Sequence, residues 1–370
     1  MPWDRASGQF ALSDPISPTF VLYFGPNDVI ADDRFQGAVR EVAASGHVLG
    51  CTTGTCINDA LLHDEQAIAV AVKLDHATTK LVSANINVAA SRQVGTEIAL
   101  QLRAPDLVGV MVLCDSLNVE GVELLAGMRG VLGNAVPISG GLASDGSDFQ
   151  RTLVGANAAP REQCVAALGF YGSSLKMSQG CAHGWDNFGP PRRITRAEGL
   201  TLFELDGKPA LDLYEHYLGE YAEQLPSSAL RFPLLVTNPD DPTQQVIRTV
   251  LNVDRELRTL TFAAGIPEGW TARLMRGAFD NLAEGAAVAA RNVGGGADAR
   301  GLALLVSCVG RRIVMGEYAG DEVEAVAREL PSGFQQIGFY SHGEISASPD
   351  EGFCGLHNQT MTIMTLEEAA

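Results

Sequence analysis

Positive charge is scarce in this 370-residue chain: 26 Lys and Arg stand against 44 Asp and Glu, a net charge of −18. A chain so charged repels phosphate backbones and anionic lipid headgroups, and no basic patch reverses this, so nucleic acid is excluded as an expected partner. Long apolar runs are also missing. The longest uncharged one, residues 301–310, falls far short of the roughly 20 residues of a membrane-crossing helix. The first residues, Met-Pro-Trp-Asp-Arg-Ala-Ser, carry neither the basic nor the apolar segment of a secretory leader. No Cys-x-x-Cys pair occurs among the seven cysteines, which argues against a disulfide framework or a structural zinc site. A soluble cytoplasmic chain with reduced thiols and no membrane span is expected.

What is present is ordinary globular composition, 46% hydrophobic and 19% charged, with 40 glycines. The length exceeds what one compact core supports, so two domains are expected. Residues 20–24 (Phe-Val-Leu-Tyr-Phe) form a buried-strand run stopped by Gly-Pro-Asn, and residues 33–45 carry helical spacing up to Gly46. Residues 47–51 return as a strand. Two strands over 66–87, a helix over 93–103, a strand over 107–114, a helix over 119–132 and strands at 136–138, 151–155 and 164–171 complete the first half. The second half reads as strands at 193–195 and 200–205, a helix over 210–218, a hairpin over 246–262, a strand at 272–275 and a helix over 279–292. A fully apolar strand at 302–307, a helix over 321–330 and strands at 335–340 and 360–365 follow. The fold class is α/β, mixed sheets covered by helices, in two similar-sized domains, residues 1–174 and 175–370.

Chemistry concentrates between residues 338 and 365, where Glu344, His342, His357, Cys354, Asn358 and Gln359 lie in one short span between apolar strands. Polar groups on a loop held by strands suit a ligand pocket, because the strands fix geometry and the loop supplies reach. The other reading is a plain surface hairpin. Ser307 and Cys308 end the apolar strand, where side chains enter the crevice at a sheet edge. Arg311 beyond them is either a two-point carboxylate clamp or half of a structural ion pair. Cys308 is either a nucleophile activated by a histidine or a buried strand-end thiol. Thr52 and Thr53, in Gly50-Cys51-Thr52-Thr53-Gly54, form either an anion-holding turn or a structural one. His183 sits in the irregular Gly-Cys-Ala-His-Gly-Trp.

In order along the chain, Gly50-Cys51-Thr52-Thr53-Gly54, Gly140-Gly141-Leu142-Ala143-Ser144-Asp145, His183-Gly184-Trp185, Leu205-Asp206-Gly207-Lys208-Pro209-Ala210, Leu304 to Arg311, Gly343-Glu344-Ile345 and Leu356-His357-Asn358-Gln359-Thr360 resemble the FIST family, N-terminal and C-terminal parts alike. The resemblance implies a sensory module of bacterial signal transduction rather than an enzyme, binding a small amino-acid-like molecule. In some stand-alone members it implies haem that senses nitric oxide and acts on a partner histidine kinase, a form of two-component regulation. On that basis the expected ligand-binding residues are Arg311, Glu344, His342, Asn358, Ser307, Cys308, Thr52 and Thr53. The expected haem axial ligand is His357, with His183 second. The family pattern often has Tyr where His342 stands, so the haem role is transferred to His357. The alternative class is a hydrolase or transferase using Cys308 with His342 or His357 as base.

Overall fold

The computed structural model describes residues 1–10, 17–296, 298–347 and 354–369, with the side chain of Cys354 lying outside the description. Three parallel strand pairs organise it, each joined by helix. Phe20–Gly25 pairs with His47–Thr52, Leu107–Cys114 with Ile138–Leu142, and Arg300–Cys308 with Gly333–Ser341. Strands buried on both faces must be apolar throughout, which is why these runs lack alternation. In the first unit, helix Asp33–Ala43 starts where the Asp32 carboxylate accepts from the Arg34 and Phe35 amides, and it lays Phe35, Val39 and Ala43 on the sheet.

Each pair gains an antiparallel strand beside its first member: Ile68–Val72, Cys164–Tyr171 and Met361–Glu368 respectively. Beside its second member each pair takes a strand from another unit. Cys56–Asn58, which follows the first pair in the chain, joins the third; Val154–Ala156, which follows the second, joins the first; Gly343–Ala347, which follows the third, joins the second. The exchange is cyclic, and strands from both halves of the chain share sheets.

The three units meet where their second strands end. The Tyr340 carbonyl accepts from Thr53 Oγ1 at 2.8 Å and from Ser144 Oγ at 2.5 Å. The Ser144 amide donates to the Thr52 carbonyl and the Tyr340 amide to that of Thr55, both at 3.0 Å. Phe24 stacks on Phe339 at 4.6 Å, within one apolar cluster that draws on all three sheets.

Between Ala182 and helix Phe279–Val293 the chain builds a separate nine-stranded, largely antiparallel sheet with helix Ala210–Leu218 on it. Its core is distinct, centred on Ile194, Leu202, Tyr214, Leu234 and Phe262. The expected 246–262 hairpin is three strands: Gln245–Arg248 pairs with Leu234–Thr237, and Val250–Asp254 with Thr259–Phe262. The chain changes partner at Thr249. The 136–138 strand begins at Ile138 and runs on through Gly140-Gly141 to Leu142, beyond its expected end. Val309–Met315 is a short helix in a segment to which the sequence reading assigned no element. No helix among the described residues is long and apolar enough to cross a membrane.

Candidate functional site

A chamber of about 420 Å³ opens where the antiparallel sheet caps the ends of the third parallel pair. The main body contributes Cys308 and Ser341, the last residues of the two parallel strands, with Val309, Gly310 and Ile313 of the short helix and Asn358 of the bend after Cys354–His357. The capping sheet and its loops contribute Pro226, Ser227, Leu230, Thr249, Val250, Leu251 and Ala263, and the first half of the chain sends in Ser147 and Phe149. Ligands of α/β sheets favour this carboxyl-end position. The lining is mainly apolar and holds no Asp, Glu, Lys or Arg among the described residues. Asn358 and Thr249 are among the lining residues, and Asn358 Oδ1 and Thr249 Oγ1 are buried without a hydrogen-bond partner among the described residues. Each orphan costs about 1–3 kcal/mol unless something satisfies it.

His342 forms part of the wall. Its Nε2 lies 2.9 Å from the Gly146 carbonyl, which only accepts, so Nε2 carries the proton and Nδ1 accepts from Ser116 Oγ at 2.8 Å. Ser116 lies against Thr152, whose hydroxyl donates to Asp115 at 2.5 Å. Phe149 stacks on the imidazole at 4.1 Å, and burial depresses the His342 pKa. Both nitrogens are therefore occupied, and this ring holds the loop rather than accepting a proton from Cys308. The Cys308 thiol is pushed well up, by burial first and by nearby Glu344 second. A protonated thiol without a base is a poor nucleophile. The residues expected to form a Cys–His pair line one wall without being arranged to act together.

Glu344 was expected on a loop; it lies on a strand, fully buried behind Ser341. Its carboxyl takes the Ser341 hydroxyl at 2.8 Å and the Thr360 hydroxyl at 2.9 Å. Burial raises its pKa to about 8 against the pull of those donors.

Arg311 has the structural role of the two left open. Its side chain is fully buried, and its five N–H donors reach Glu322 (twice) and the carbonyls of His183, Gln359 and Leu282. It does not line the chamber. Ser307 and the Tyr340 hydroxyl also donate to Glu322, at 2.9 and 2.6 Å. Glu322 is the residue that sequence reasoning missed. The signal was there: it heads the stripe Glu322–Val326–Leu330, the inward face of helix Ala319–Glu329. Thr52 and Thr53 are fully buried in the junction of the units, Thr52 accepting from the Leu153 amide. They hold the turn and line no described cavity. Phe149 and Thr249 were not expected at a site.

His357 and His183 line a different cavity, about 1020 Å³, on the other side of the 357–360 bend. The Ser346 carbonyl lies 3.0 Å from His357 Nε2, which fixes the proton there and leaves Nδ1 as a lone-pair donor; burial lowers the pKa to about 4. That is the tautomer an iron ligand requires. His183 Nδ1 accepts the Trp185 amide, and its pKa is likewise lowered to about 4, chiefly by burial. The cavity wall, however, carries Asp186 and Glu284 and no Lys or Arg among the described residues. Glu284 is paired with Arg291 and Asp186 accepts from Asn281, so the described wall offers haem propionates no cation of its own. The residues do not fit haem.

Fold and site together define a mixed α/β protein with a mainly apolar chamber that holds no charged side chain among the described residues. The FIST N domain model matches residues 19–208 and the FIST C domain model residues 210–347, so the chain belongs to the FIST family. FIST domains are associated with signal transduction and small-ligand sensing. A stretch of 89 residues is 35% identical to an uncharacterized protein of Methanocaldococcus jannaschii, covering 24% of this chain and 17% of the relative's length. Among solved structures, a cyanuric acid hydrolase from A. caulinodans is 12% identical with a TM-score of 0.18, over 80% of this chain and 100% of that one. PurLQS from Thermotoga maritima is 10% identical with a TM-score of 0.20, over 86% and 74%.

Proposed function

We propose that the chain is a non-enzymatic, cytoplasmic sensory protein of bacterial signal transduction that binds a small molecule in the 420 Å³ chamber and regulates a separate partner such as a histidine kinase. The observation that carries this reading is the position of the chamber, mainly apolar and set at the carboxyl ends of the third strand pair under the capping sheet. Its walls come from the main body, the capping sheet and the first half of the chain. A ligand there bridges all three and favours whichever arrangement it fits, which is how binding energy becomes a signal. Narrowing the chamber tests it. Ala263→Phe should abolish any thermal shift that small-molecule screening produces on the full chain while leaving the unliganded unfolding cooperative; a shift that survives the substitution rules out this chamber.

The haem and nitric oxide reading rests on the tautomer of His357 alone. Titrating haemin into the protein should give no Soret band that His357→Ala removes. A stoichiometric band lost in that variant would restore haem sensing.

A further inference from the structure

We propose that residues 147–150 form a flap at the mouth of the chamber, and that the Phe149 ring, latched on His342, sets how large a molecule can enter. The inference rests on the ligand-sensing reading above and adds how the site is reached.

Exposure along the lining separates mouth from floor. Cys308, Thr249 and Val250 are buried, whereas Phe149, Leu251 and Ile313 are 41%, 37% and 45% exposed. Large apolar side chains left half in solvent around an opening are what an incoming molecule meets first. Leu251 belongs to strand Val250–Asp254 and Ile313 to helix Val309–Met315, so regular structure fixes both. Phe149 is the one of the three that stands on a loop.

That loop is anchored at both ends and lightly held between them. At its start the Asp145 carboxylate lies nearly buried, 3.7 Å from His342 Nε2, and the Gly146 carbonyl accepts from the same nitrogen. At its end Thr152 is fully buried and donates to Asp115, and the Arg151 carbonyl accepts from Asn27 Nδ2 at 2.8 Å. The four residues between, 147–150, are exposed. Among the described residues two holds tie them to the anchors. The Asp145 carboxylate accepts from the Phe149 and Gln150 amides at 3.0 and 2.7 Å. The Phe149 ring lies 4.1 Å from the His342 imidazole, only 10° from parallel. The backbone works against that second hold. Phe149 has a φ of +51°, the left-handed region that a side chain with a Cβ enters at a cost. Such strain persists only where the surroundings enforce it. An aromatic stack returns a free energy of the same order as the strain consumes. A latched and a swung-out Phe149 are therefore close in energy, and turning residues 148–150 exchanges them without moving the anchors.

The Cys308 thiol, in the chamber floor, reports on entry without any ligand. The full chain is treated at alkaline pH with methyl methanethiosulfonate or the bulkier benzyl methanethiosulfonate, and each cysteine is followed by peptide mass spectrometry. Rates at Cys308, corrected for each reagent's rate with free cysteine, are divided by those at Cys114, which is fully buried in the core. Global unfolding cancels in that ratio. In the wild type the methyl reagent should be favoured at least tenfold over the benzyl one. Phe149→Ala should raise the benzyl ratio at least tenfold and the methyl ratio less than threefold, while Phe149→Tyr, which keeps the stack, should leave both within twofold. A benzyl ratio that Phe149→Ala does not move overturns the flap and leaves the ligand-sensing reading to the Ala263→Phe test. An equal gain for both reagents overturns the selection by size. Cys308 left unmodified by the methyl reagent in the wild type and in Phe149→Ala alike overturns the mouth itself.

Discussion

Glu344 shows how burial changes what a residue does. On the sequence it was a carboxylate ready to meet an amino group; in the fold it is fully buried with its pKa raised to about 8. The unfolded chain gives up this proton near the ordinary glutamate value, the folded chain only near 8. Between those pH values the folded state binds more protons, so stability falls as pH rises, is fully present below the unfolded pKa, and levels off above about 8. Urea unfolding at a series of pH values should show this decline in the wild type and lose about one proton's worth of slope in Glu344→Gln. Identical slopes in the two proteins would contradict the shift. Arg311 makes the companion case. Its donors are all committed inside the protein, so Arg311→Met leaves the Glu322 carboxylate buried without its partner and should cost about 3–5 kcal/mol in chemical denaturation, with Ser307 and Tyr340 still donating. A loss under 1 kcal/mol would argue against a buried ion pair. The sequence left Arg311 open because its partner lies on another element, eleven residues on. Which helix face turns inward decides the pairing, and tertiary packing sets that face.

At the scale of elements, apolar periodicity carried far. Leu107–Cys114, Cys164–Tyr171 and Ala210–Leu218 have the bounds their patterns predict. The misses have local causes. The 136–138 strand was ended before Gly140-Gly141 because glycine weakens strands in isolation, yet here the sheets approach too closely for a side chain: a Cβ on Gly141 would press on Val306 and Phe339. Glu344 and His357 were expected on a loop because residues between them break the pattern, whereas each lies on a strand and they face each other in register. The chamber itself was half legible. Cys308, His342 and Asn358 are in its wall; Thr249 and Phe149 arrive from segments remote in sequence, and no local signal reports that. Close approach also governs helices Ser91–Leu102 and Gly121–Leu132. A Cβ on Gly95 would meet the Leu124 carbonyl, and one on Gly127 the Arg92 carbonyl. Because backbone cannot yield as a flexible side chain does, Gly95→Ala should destabilise by about 1–3 kcal/mol despite alanine's better helix propensity. A raised melting temperature would mean that the helices have room to part.

For the whole molecule, the cyclic exchange of strands has a consequence for how the chain can be divided. Residues 1–174, the first domain expected from sequence, contain the strand Ile138–Leu142, whose outer neighbour Gly343–Ala347 comes from near the other end of the chain. Residues 175–370 contain Gly333–Ser341, whose outer neighbour is Cys56–Asn58. Cutting at 174 strips two strands from one sheet of each fragment and exposes apolar, unpaired backbone at both places, with the buried Phe24–Phe339 stack split between them. Either fragment alone should therefore be aggregation-prone or lack a cooperative thermal transition, while co-expression should recover a stoichiometric complex that melts as one unit. Two fragments that each unfold cooperatively and do not associate would contradict the exchange. The same connectivity bears on signalling. The chamber is walled by the ends of the third strand pair, by the capping sheet, and by the 147–149 loop that follows the second pair. In the proposed sensor, a ligand pressing on that loop would act through Phe149 on His342 of the third unit and, by the His342–Ser116–Thr152–Asp115 chain, back on the second. Ser116→Ala cuts this chain outside the chamber. It should leave affinity for a chamber ligand within a few-fold and should loosen the loop, seen as faster amide exchange at residues 145–152 in the liganded protein. Unchanged exchange there would place the route from ligand to partner elsewhere.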